Sequence, residues 1–228
     1  MSPARAQEAA TETLEAPKSA RVAPKNVRRR QLLDSATALM VSDGSHGVSM
    51  QAIADEAGVS VGLIYRYFSN KHELVEAVIT SVLDDLAERI PLAAGTIKDP
   101  VRRIAALFET YCRIIDERQD ATLLTYRESK TLGREALGKI LAREIETSDP
   151  IRQAIKDAQT EGQMRNVNAD LFAEDFVLLA HGWALKHWYF EPRGGFDTYV
   201  KHHLATLLSG VIKDKHRKDY ADLLGDLR

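Results

Sequence analysis

Apolar residues recur at helical spacing through most of this 228-residue chain, and no segment shows the strict alternation that marks a β-strand. Asp43-Gly44 ends the first stripe, whose apolar members are Leu32, Leu33, Ala36, Leu39 and Met40. The pattern predicts an all-α fold, and no internal repeat interrupts it.

Two short helical segments follow, and only Gly58-Val59 separates them. Polar residues that can cap a helix stand where three of the helices should begin, namely Ser49, Ser60 and Asn70. Glu73, three residues after Asn70, completes the pattern of a capping box. The apolar positions beyond it extend the fourth helix to about Pro91.

The helical pattern continues after a loop at Ala94-Gly95. An apolar stripe begins just after Pro100, which suits the first turn of a helix. Further helices are predicted over residues 121–131, 134–161, 170–190 and 196–213. Pro150 should kink or divide the helix predicted over residues 134–161, because proline removes a backbone hydrogen-bond donor. The pattern leaves open whether the segment 215–228 docks on the body or stays loose.

The first 24 residues differ from the rest in composition. They contain seven Ala and three Pro, with Leu14 and Val22 as the only large aliphatic residues. Such a segment cannot bury enough apolar surface to offset its ordering entropy. We therefore predict a disordered tail at 1–24, a three-helix N-terminal domain at 25–77 and a helical second domain at 78–228.

The net charge of −2, taken for the whole chain, argues against a nucleic-acid partner. Divided by region, however, residues 21–71 carry +3, residues 1–20 carry −1 and residues 72–228 carry −4. The basic charge is local, so the N-terminal domain can contact phosphates although the whole chain is slightly acidic.

Two short helices joined by a tight turn and packed on a longer first helix are typical of a helix-turn-helix. Gly58 can adopt the left-handed conformation that reverses the chain. Gly62 lies inside the first turn of the second short helix, where glycine costs about 1 kcal/mol relative to alanine. A bare backbone at that position favours close approach by another molecule, such as a DNA strand.

The run Ile53-Ala54-x-x-Ala57-Gly58-Val59-Ser60-x-Gly62-x-x-Tyr65-x-Tyr67-Phe68-x-x-Lys71-x-x-Leu74 resembles the DNA-binding motif of the TetR family of bacterial repressors. Tyr67 stands where many members of that family carry histidine. The resemblance implies a helix-turn-helix domain followed by a helical ligand-binding and dimerisation domain. It implies a transcriptional repressor that binds a palindromic double-stranded DNA operator as a homodimer and leaves it when a small effector binds.

The resemblance also implies roles for single residues. Residues of the recognition helix would face base edges, with apolar side chains against thymine methyl groups; these are Val61, Gly62, Leu63 and Tyr65, with Ser60 as the cap. Gln51 would make a polar contact to a base or a phosphate. Phosphate contacts are expected from Ser49, Tyr67 and Lys71. The start of the first helix could reach a phosphate or the minor groove through the arginines Arg28 and Arg29 together with Lys25 and Arg30. Each of these residues could instead be an ordinary solvated surface residue.

The last two long helices have the composition of a dimer interface. A helix that is apolar on two sides must be buried on two sides, and residues 171–185 are apolar around most of their circumference. One side could face the subunit's own core and the other a second copy of the chain. A purely intramolecular core is the alternative.

Aromatic residues concentrate in the second domain, where eight of fifteen lie between Phe172 and Tyr199. Candidates for the lining of an effector pocket are Phe108, Tyr111, Cys112, Tyr126, Trp183 and His187, although the pattern at each single position favours an ordinary core residue. The run from Trp183 to Pro192 loosely resembles TetR-family regulators that respond to acyl-CoA. The phosphates of an acyl-CoA would need cations nearby, and the candidates are Arg102, Arg103, Arg127 and Arg165. The sequence favours some other apolar or aromatic small molecule as the effector, with an acyl-CoA as the second candidate.

Other classes of function find little support in the sequence. No catalytic, phosphate-binding or dinucleotide-binding motif is present, so we predict neither an enzyme nor a cofactor. The seven histidines do not have metal-ligand spacing, and Cys112 lies on an apolar stripe. With no signal peptide and no membrane span, we expect a cytoplasmic protein. The alternative function is a helical ligand- or partner-binding module that no longer engages DNA.

Overall fold

The computed structural model describes residues 25–129 and 132–225, and no β-strand occurs within these two ranges. The α-helices in chain order are α1 (Lys25–Gly47), α2 (Met50–Glu56), α3 (Val61–Tyr65), α4 (Lys71–Ala94), α5 (Pro100–Glu117), α6 (Gln119–Glu128), α7 (Arg134–Thr160), α8 (Ala169–Leu185), α9 (His187–Phe190), α10 (Gly195–Val211) and α11 (Ala221–Leu224). Short 3-10 turns lie at Glu191–Arg193 and Asp214–His216. The predicted all-α fold is confirmed. The predicted tail at 1–24 lies outside the described residues.

Helix α1 packs against α2 and α4, and α2 packs against α3. We call residues 25–77 the head and the described residues from 78 onward the body. The boundary predicted between residues 77 and 78 falls inside α4, which runs unbroken through it. Buried residues extend along α4 from Leu74 to Ile90, so this helix belongs to both the core of the head and the core of the body.

Helix α5 lies at the centre of the body and contacts α4, α7, α8 and α10. Its strongly amphipathic sequence explains this position, since an apolar stripe must be covered by other elements. Asp99 caps its first turn by accepting a hydrogen bond from the Arg102 amide at 2.9 Å. Pro100 stands in that first turn, as predicted.

One prediction about helix continuity is wrong, and one of the two outcomes predicted for Pro150 does not occur. The helix expected over 170–190 breaks at Lys186, which adopts φ −127° and ψ 26°, and α9 is a separate turn. Aromatic packing accounts for the break, because it brings Phe190 to within 4.6 Å of Tyr199 on α10 between ring centroids. Conversely, Pro150 does not divide α7. The buried Ile151 and Ile155 that follow it hold the helix against the core.

Other predicted helix ends agree with the structure to within a few residues. Gly44 interrupts α1 with φ 75° and ψ 151°, and one further turn carries the chain to Gly47. Helix α4 continues through Pro91 to Ala94. The predicted end of α6 at Thr131 lies outside the described residues, and α6 is described to Glu128. In the C-terminal segment, Leu224 is buried and Leu223 packs on the core.

An ion cluster at the junction of α5 and α6 joins the body to the head. The largely buried Arg118 guanidinium donates to Asp34 on α1 and to Ser81 on α4, each at 2.8 Å. Asp85, also on α4, lies 3.4 Å from Arg118 and accepts two hydrogen bonds from Arg30 on α1, at 2.7 and 2.9 Å. The cluster therefore fixes the direction of α1 relative to α4 and α5.

A second junction connects the end of α6 to the end of α1. The buried Ser45 hydroxyl donates to the Glu128 carboxylate at 2.6 Å. Beside it, the Arg127 guanidinium donates to the Val41 carbonyl at 3.4 Å. Helix α6 is thus tied to the head at both of its ends.

We expect Arg118→Met to lower the free energy of unfolding by about 1.5–3 kcal/mol, because two charge-assisted hydrogen bonds are lost from a desolvated position. Arg89→Met is the matched control, since the Arg89–Glu117 pair is more exposed. Loss of the Arg89–Glu117 pair should lower the free energy of unfolding by less than about 1 kcal/mol. Urea denaturation at one fixed protein concentration measures both, and equal losses would contradict a structural role for the Arg118 cluster.

Candidate functional site

The turn between α2 and α3 has the geometry of a Schellman motif. Gly58 adopts φ 65°, its amide donates to the Asp55 carbonyl at 3.1 Å, and the Val59 amide donates to the Ala54 carbonyl at 2.9 Å. Glycine is the residue that takes this left-handed conformation without a steric penalty. The turn fixes the angle at which α3 leaves α2.

A serine caps the N-terminus of each of the two short helices. Ser49 Oγ accepts a hydrogen bond from the Ala52 amide at 3.1 Å, and Ser60 Oγ accepts one from the Leu63 amide at 3.3 Å. Both predicted caps are confirmed. At the start of α4, Asn70 Oδ1 accepts from the Glu73 amide at 2.9 Å, as the capping box predicts. The Glu73 carboxylate reaches Ser69 and accepts from its amide at 2.7 Å.

Helix α3 buries one side and presents the other to solvent. Of its five residues only Ile64 is fully buried, while Tyr65 is 53 % exposed. Gly62 is exposed, and a Cβ built on it would meet nothing within 4 Å. No intramolecular contact therefore requires glycine at this position. Val61 and Leu63 are half-buried, and Val61 also packs against the hydrophobic core.

Two other predicted DNA contacts have intramolecular partners in this structure. The exposed Gln51 amide donates to Asp55 at 2.8 Å, one turn further along α2. Lys71 Nζ donates to the His46 carbonyl at 3.0 Å and so fastens the start of α4 to the end of α1. An ammonium group has three donors, so Lys71 keeps capacity for a phosphate oxygen. Tyr67 is half-buried beside Phe68, with ring centroids 6.3 Å apart.

The basic residues of α1 differ in their surroundings. Arg28 donates to Gln31 at 2.6 Å, and the guanidinium of Arg29 lies 5.7 Å from the Phe68 ring centroid. Arg30 is directed to Asp85 on α4, in the ion cluster described above. Lys25 is exposed. Arg28 and Arg29 thus lie on the head, whereas Arg30 forms part of the junction between head and body.

Gln31 is a residue of the head that the sequence reasoning missed. Its amide donates to the carbonyl of Ala57 at 3.0 Å, where α2 ends. It thereby ties α1 to the helix-turn-helix. The sequence gives no signal for this contact, because Gln31 is simply a polar residue on the exposed side of an amphipathic helix.

The six candidates for an effector pocket separate into two groups. Phe108, Tyr111, Cys112 and Trp183 are fully buried in the core of the body, and burial raises the pKa of both the Tyr111 hydroxyl and the Cys112 thiol. Trp183 donates to Asp116 at 2.7 Å and contacts His187, with ring centroids 4.9 Å apart. Tyr126 lies apart from them on α6. It lines a small cavity between α4, α6, α7 and α8.

This cavity has a volume of about 40 Å³ and mainly apolar walls. Helix α4 supplies four of its apolar residues, which are Ile79, Val82, Leu83 and Leu86. Its polar lining includes His181 on α8, whose Nδ1 lies 2.9 Å from the Tyr126 hydroxyl. Burial lowers the pKa of His181 to about 4, so this imidazole is neutral at pH 7. We call this space the α4 cavity.

The sequence reasoning missed most of the polar residues in the α4 cavity, above all Thr122 and Glu144. Burial, and then the nearby Glu174, raises the pKa of Glu144. A signal existed for His181, since it is the lone polar side chain in the apolar run from Phe176 to Trp183. None existed for Thr122, a small residue on an ordinary amphipathic helix.

The four arginines considered for coenzyme A phosphates do not converge. Arg102 pairs with Asp222, Arg103 with Asp157 and Arg165 with Asp214, while Arg127 lies beside α1. Within residues 25–129 and 132–225, no group of three or more His, Cys, Asp or Glu side chains could hold a metal ion. No helix in these ranges is long and apolar enough to cross a membrane.

Two short helices, each capped by a serine and joined by a glycine turn, are packed on an all-α body. This arrangement is that of a helix-turn-helix transcriptional regulator. Residues 32–78 match the family model of bacterial regulatory proteins of the tetR family, and residues 98–211 match that of the tetracyclin repressor-like C-terminal domain. The chain belongs to the TetR family. It is a ligand-responsive, DNA-binding transcriptional regulator.

Relatives and solved structures agree with this assignment. The transcriptional regulator HbdR of Aromatoleum sp. (strain CIB) is 36 % identical over 188 residues, which are 82 % of each chain. The transcriptional repressor KstR2 of Rhodococcus jostii is 26 % identical over 82 % of this chain and 92 % of KstR2. AibR, solved with isovaleryl coenzyme A and operator DNA, has a TM-score of 0.65 at 23 % identity, covering 80 % of this chain and 97 % of AibR. At that identity, AibR shows the shared fold.

We expect Gly62→Ala to separate stability from DNA binding. The added methyl group has free space in the protein, so folding should gain about 0.5–1 kcal/mol. Affinity for operator DNA should fall about tenfold if this backbone lies against the duplex, because overpacking costs about 1–3 kcal/mol. Thermal denaturation and fluorescence anisotropy measure the two effects.

Gly138→Ala on α7 is the matched control for Gly62→Ala, since a Cβ at Gly138 also meets nothing within 4 Å. It should raise stability similarly and leave DNA affinity unchanged. Unchanged affinity in Gly62→Ala would show that the duplex does not approach α3 at this point.

Proposed function

We propose that this protein is a repressor that binds a palindromic operator as a homodimer and leaves it when a small effector enters the body. The observation that carries the proposal is the outward face of α3, where a turn and two caps hold exposed residues that the fold itself does not need. The repressor KstR2, a relative over most of both chains, supports the direction of regulation.

In this proposal α3 lies in the major groove. Val61, Leu63 and Tyr65 offer apolar and aromatic contacts suited to thymine methyl groups, and Gly62 allows close approach of the backbone. Gln51 contacts a base after exchanging its bond to Asp55 for one to DNA. Phosphate contacts come from Ser49, Ser60, Tyr67 and Lys71, with Arg28 and Arg29 on α1.

The dimer forms through the exposed face of α8 together with α10. Leu171, Leu178 and Leu185 recur every seven residues on α8 and are 68 %, 55 % and 38 % exposed. A seven-residue apolar repeat places these side chains on one seam of the helix. Since α8 and α10 are in contact, two copies would meet as a four-helix interface. Dimerisation also supplies a second recognition helix, so that the two half-sites of a palindrome are contacted together.

Leu178→Glu should convert the dimer to a monomer, because it places a charge at the centre of an apolar interface. Sedimentation equilibrium would show the change in mass, and operator affinity should fall with it. Leu141→Glu is the control, because Leu141 on α7 is 50 % exposed and lies outside the proposed seam. A Leu178→Glu protein that remains dimeric would contradict this interface.

The effector acts through α4. This helix forms one wall of the α4 cavity and its first turns lie in the core of the head. A cavity of about 40 Å³ holds little more than one water molecule, whose share of liquid volume is about 30 Å³. Any larger guest must displace a wall. Moving α4 changes the direction of the head and hence the spacing of the two recognition helices.

An apolar or aromatic small molecule is the effector that the lining favours, and an acyl-CoA is the second candidate. AibR, which shares the fold, was solved with isovaleryl coenzyme A. The scattered, mostly ion-paired arginines of this chain count against a phosphate site made from them. Release of operator DNA by acyl-CoA thioesters, but not by the free acids, would support the second candidate. No response to a thioester panel would remove it.

Gel-shift assays with DNA from upstream of the gene test the regulatory function itself. We expect a sequence-specific complex whose affinity falls with salt. Lys71→Ala should weaken binding to all sequences alike and reduce the salt slope by about one, whereas Gln51→Ala should relax the sequence preference. Circular dichroism would check that Lys71→Ala, which also loses the His46 contact, stays folded.

The two variants also serve as controls for each other in these assays. Equal effects of both variants on every sequence would contradict the assigned roles. The absence of any specific complex with any upstream fragment would favour a binding module that no longer engages DNA.

A further inference from the structure

Thr122, which lines the α4 cavity, has a hydroxyl group that nothing in the described structure satisfies. The residue is 3 % exposed, lines the cavity, and its Oγ1 has no hydrogen-bond partner among the described residues. Thr125 lines the same cavity one turn away, but its hydroxyl donates to the Ala121 carbonyl at 2.8 Å. Threonine in a helix ordinarily makes such a backbone bond, so the unpaired Thr122 hydroxyl is unusual.

A second unpaired hydroxyl lies beside the cavity. Tyr111 is completely buried, its hydroxyl has no partner among the described residues, and its ring centroid lies 5.8 Å from that of His181. A buried polar group without a partner costs free energy, and binding sites are where such a cost recurs. Thr122 in the cavity lining and Tyr111 beside the lining residue His181 therefore each carry a hydroxyl group without a partner among the described residues.

The charges around the cavity restrict what can enter it. No Lys or Arg is among the described residues that line it, and His181 is neutral at pH 7. Glu144 is the acidic group of the lining, and its raised pKa reports an environment that disfavours negative charge. A carboxylate would be buried without a counter-ion, which is strongly unfavourable. An uncharged carbonyl oxygen, in contrast, can accept hydrogen bonds from hydroxyl groups.

We propose that the α4 cavity binds an uncharged carbonyl compound, an ester, thioester or ketone with an apolar body, whose carbonyl oxygen accepts a hydrogen bond from Thr122. This inference rests on the proposed function, in which the α4 cavity is the effector site, and adds the chemical class of the effector. The apolar body lies against the α4 wall and displaces it. A free acid of the same shape is rejected by its charge.

Matched pairs of probes test the charge preference. The probes are methyl benzoate with benzoate and S-ethyl hexanethioate with hexanoate, titrated at pH 7.5 by calorimetry and thermal shift without DNA. The neutral member of at least one pair should bind and raise the melting temperature, and its acid should bind at least tenfold more weakly. Acids that bind as tightly as their esters, or a panel in which neither neutral member binds, overturn the proposal.

Two variants on the same helix test the hydrogen bond. Thr122→Val keeps the shape and removes the unpaired hydroxyl, so folding should be unimpaired while affinity for the bound ester or thioester falls about five- to tenfold. Thr125→Val removes a hydroxyl that is already satisfied, and affinity should change less than twofold. Equal losses in both variants would show that Thr122 does not contact the ligand.

The regulatory function is checked separately by gel shift with the same protein and no probe. A specific DNA complex combined with a silent panel overturns the ligand class alone. Ester binding that depends on Thr122, combined with no DNA complex, overturns the regulatory function alone.

Discussion

The architecture depends on a single helix that must satisfy two cores at once. The first turns of α4 bury Leu74 and Val78 with the head, and its later turns bury Leu86 and Ile90 with the body. Because interiors are close-packed, neither end of such a helix can shift without repacking the other. The DNA-reading element and the sensor are therefore mechanically one unit, although they are separate in sequence and in the charge they carry.

The ion cluster around Arg118 and the contacts at the end of α6 determine how this shared helix is held. Arg118 reaches α1 and α4 from the turn before α6, and Ser45 meets Glu128 where α6 ends. Helix α6 also supplies Thr122 and Tyr126 to the α4 cavity. A change at the cavity can thus reach the head by two routes, through α4 directly and through α6 at the end of α1. Charge-assisted bonds of this kind favour one relative orientation and resist intermediate ones.

Local chemistry made much of the fold predictable. Serine caps, a glycine turn and amphipathic stripes act within a few residues, and the predicted starts at Ser49, Ser60 and Pro100 agree with the structure. Tertiary packing decided the rest. The break at Lys186 and the continuity through Pro150 follow from contacts with distant helices. The α4 cavity was not predicted for the same reason, since residues from four helices line it. Buried aromatic residues such as Phe108, which were expected to line a pocket, fill the core instead.

The recognition helix has a consequence for how this protein can evolve. Only Ile64 among the five residues of α3 is fully buried, and the helix is held from outside itself by the Ser60 cap and the Gly58 turn. Mutations at the other four positions leave most of the head's core untouched. With α3 in its proposed role, a lineage can therefore change the DNA sequence that it reads by single substitutions without first acquiring spare stability. Duplicated copies of such a gene could diverge quickly toward different promoters while keeping one fold.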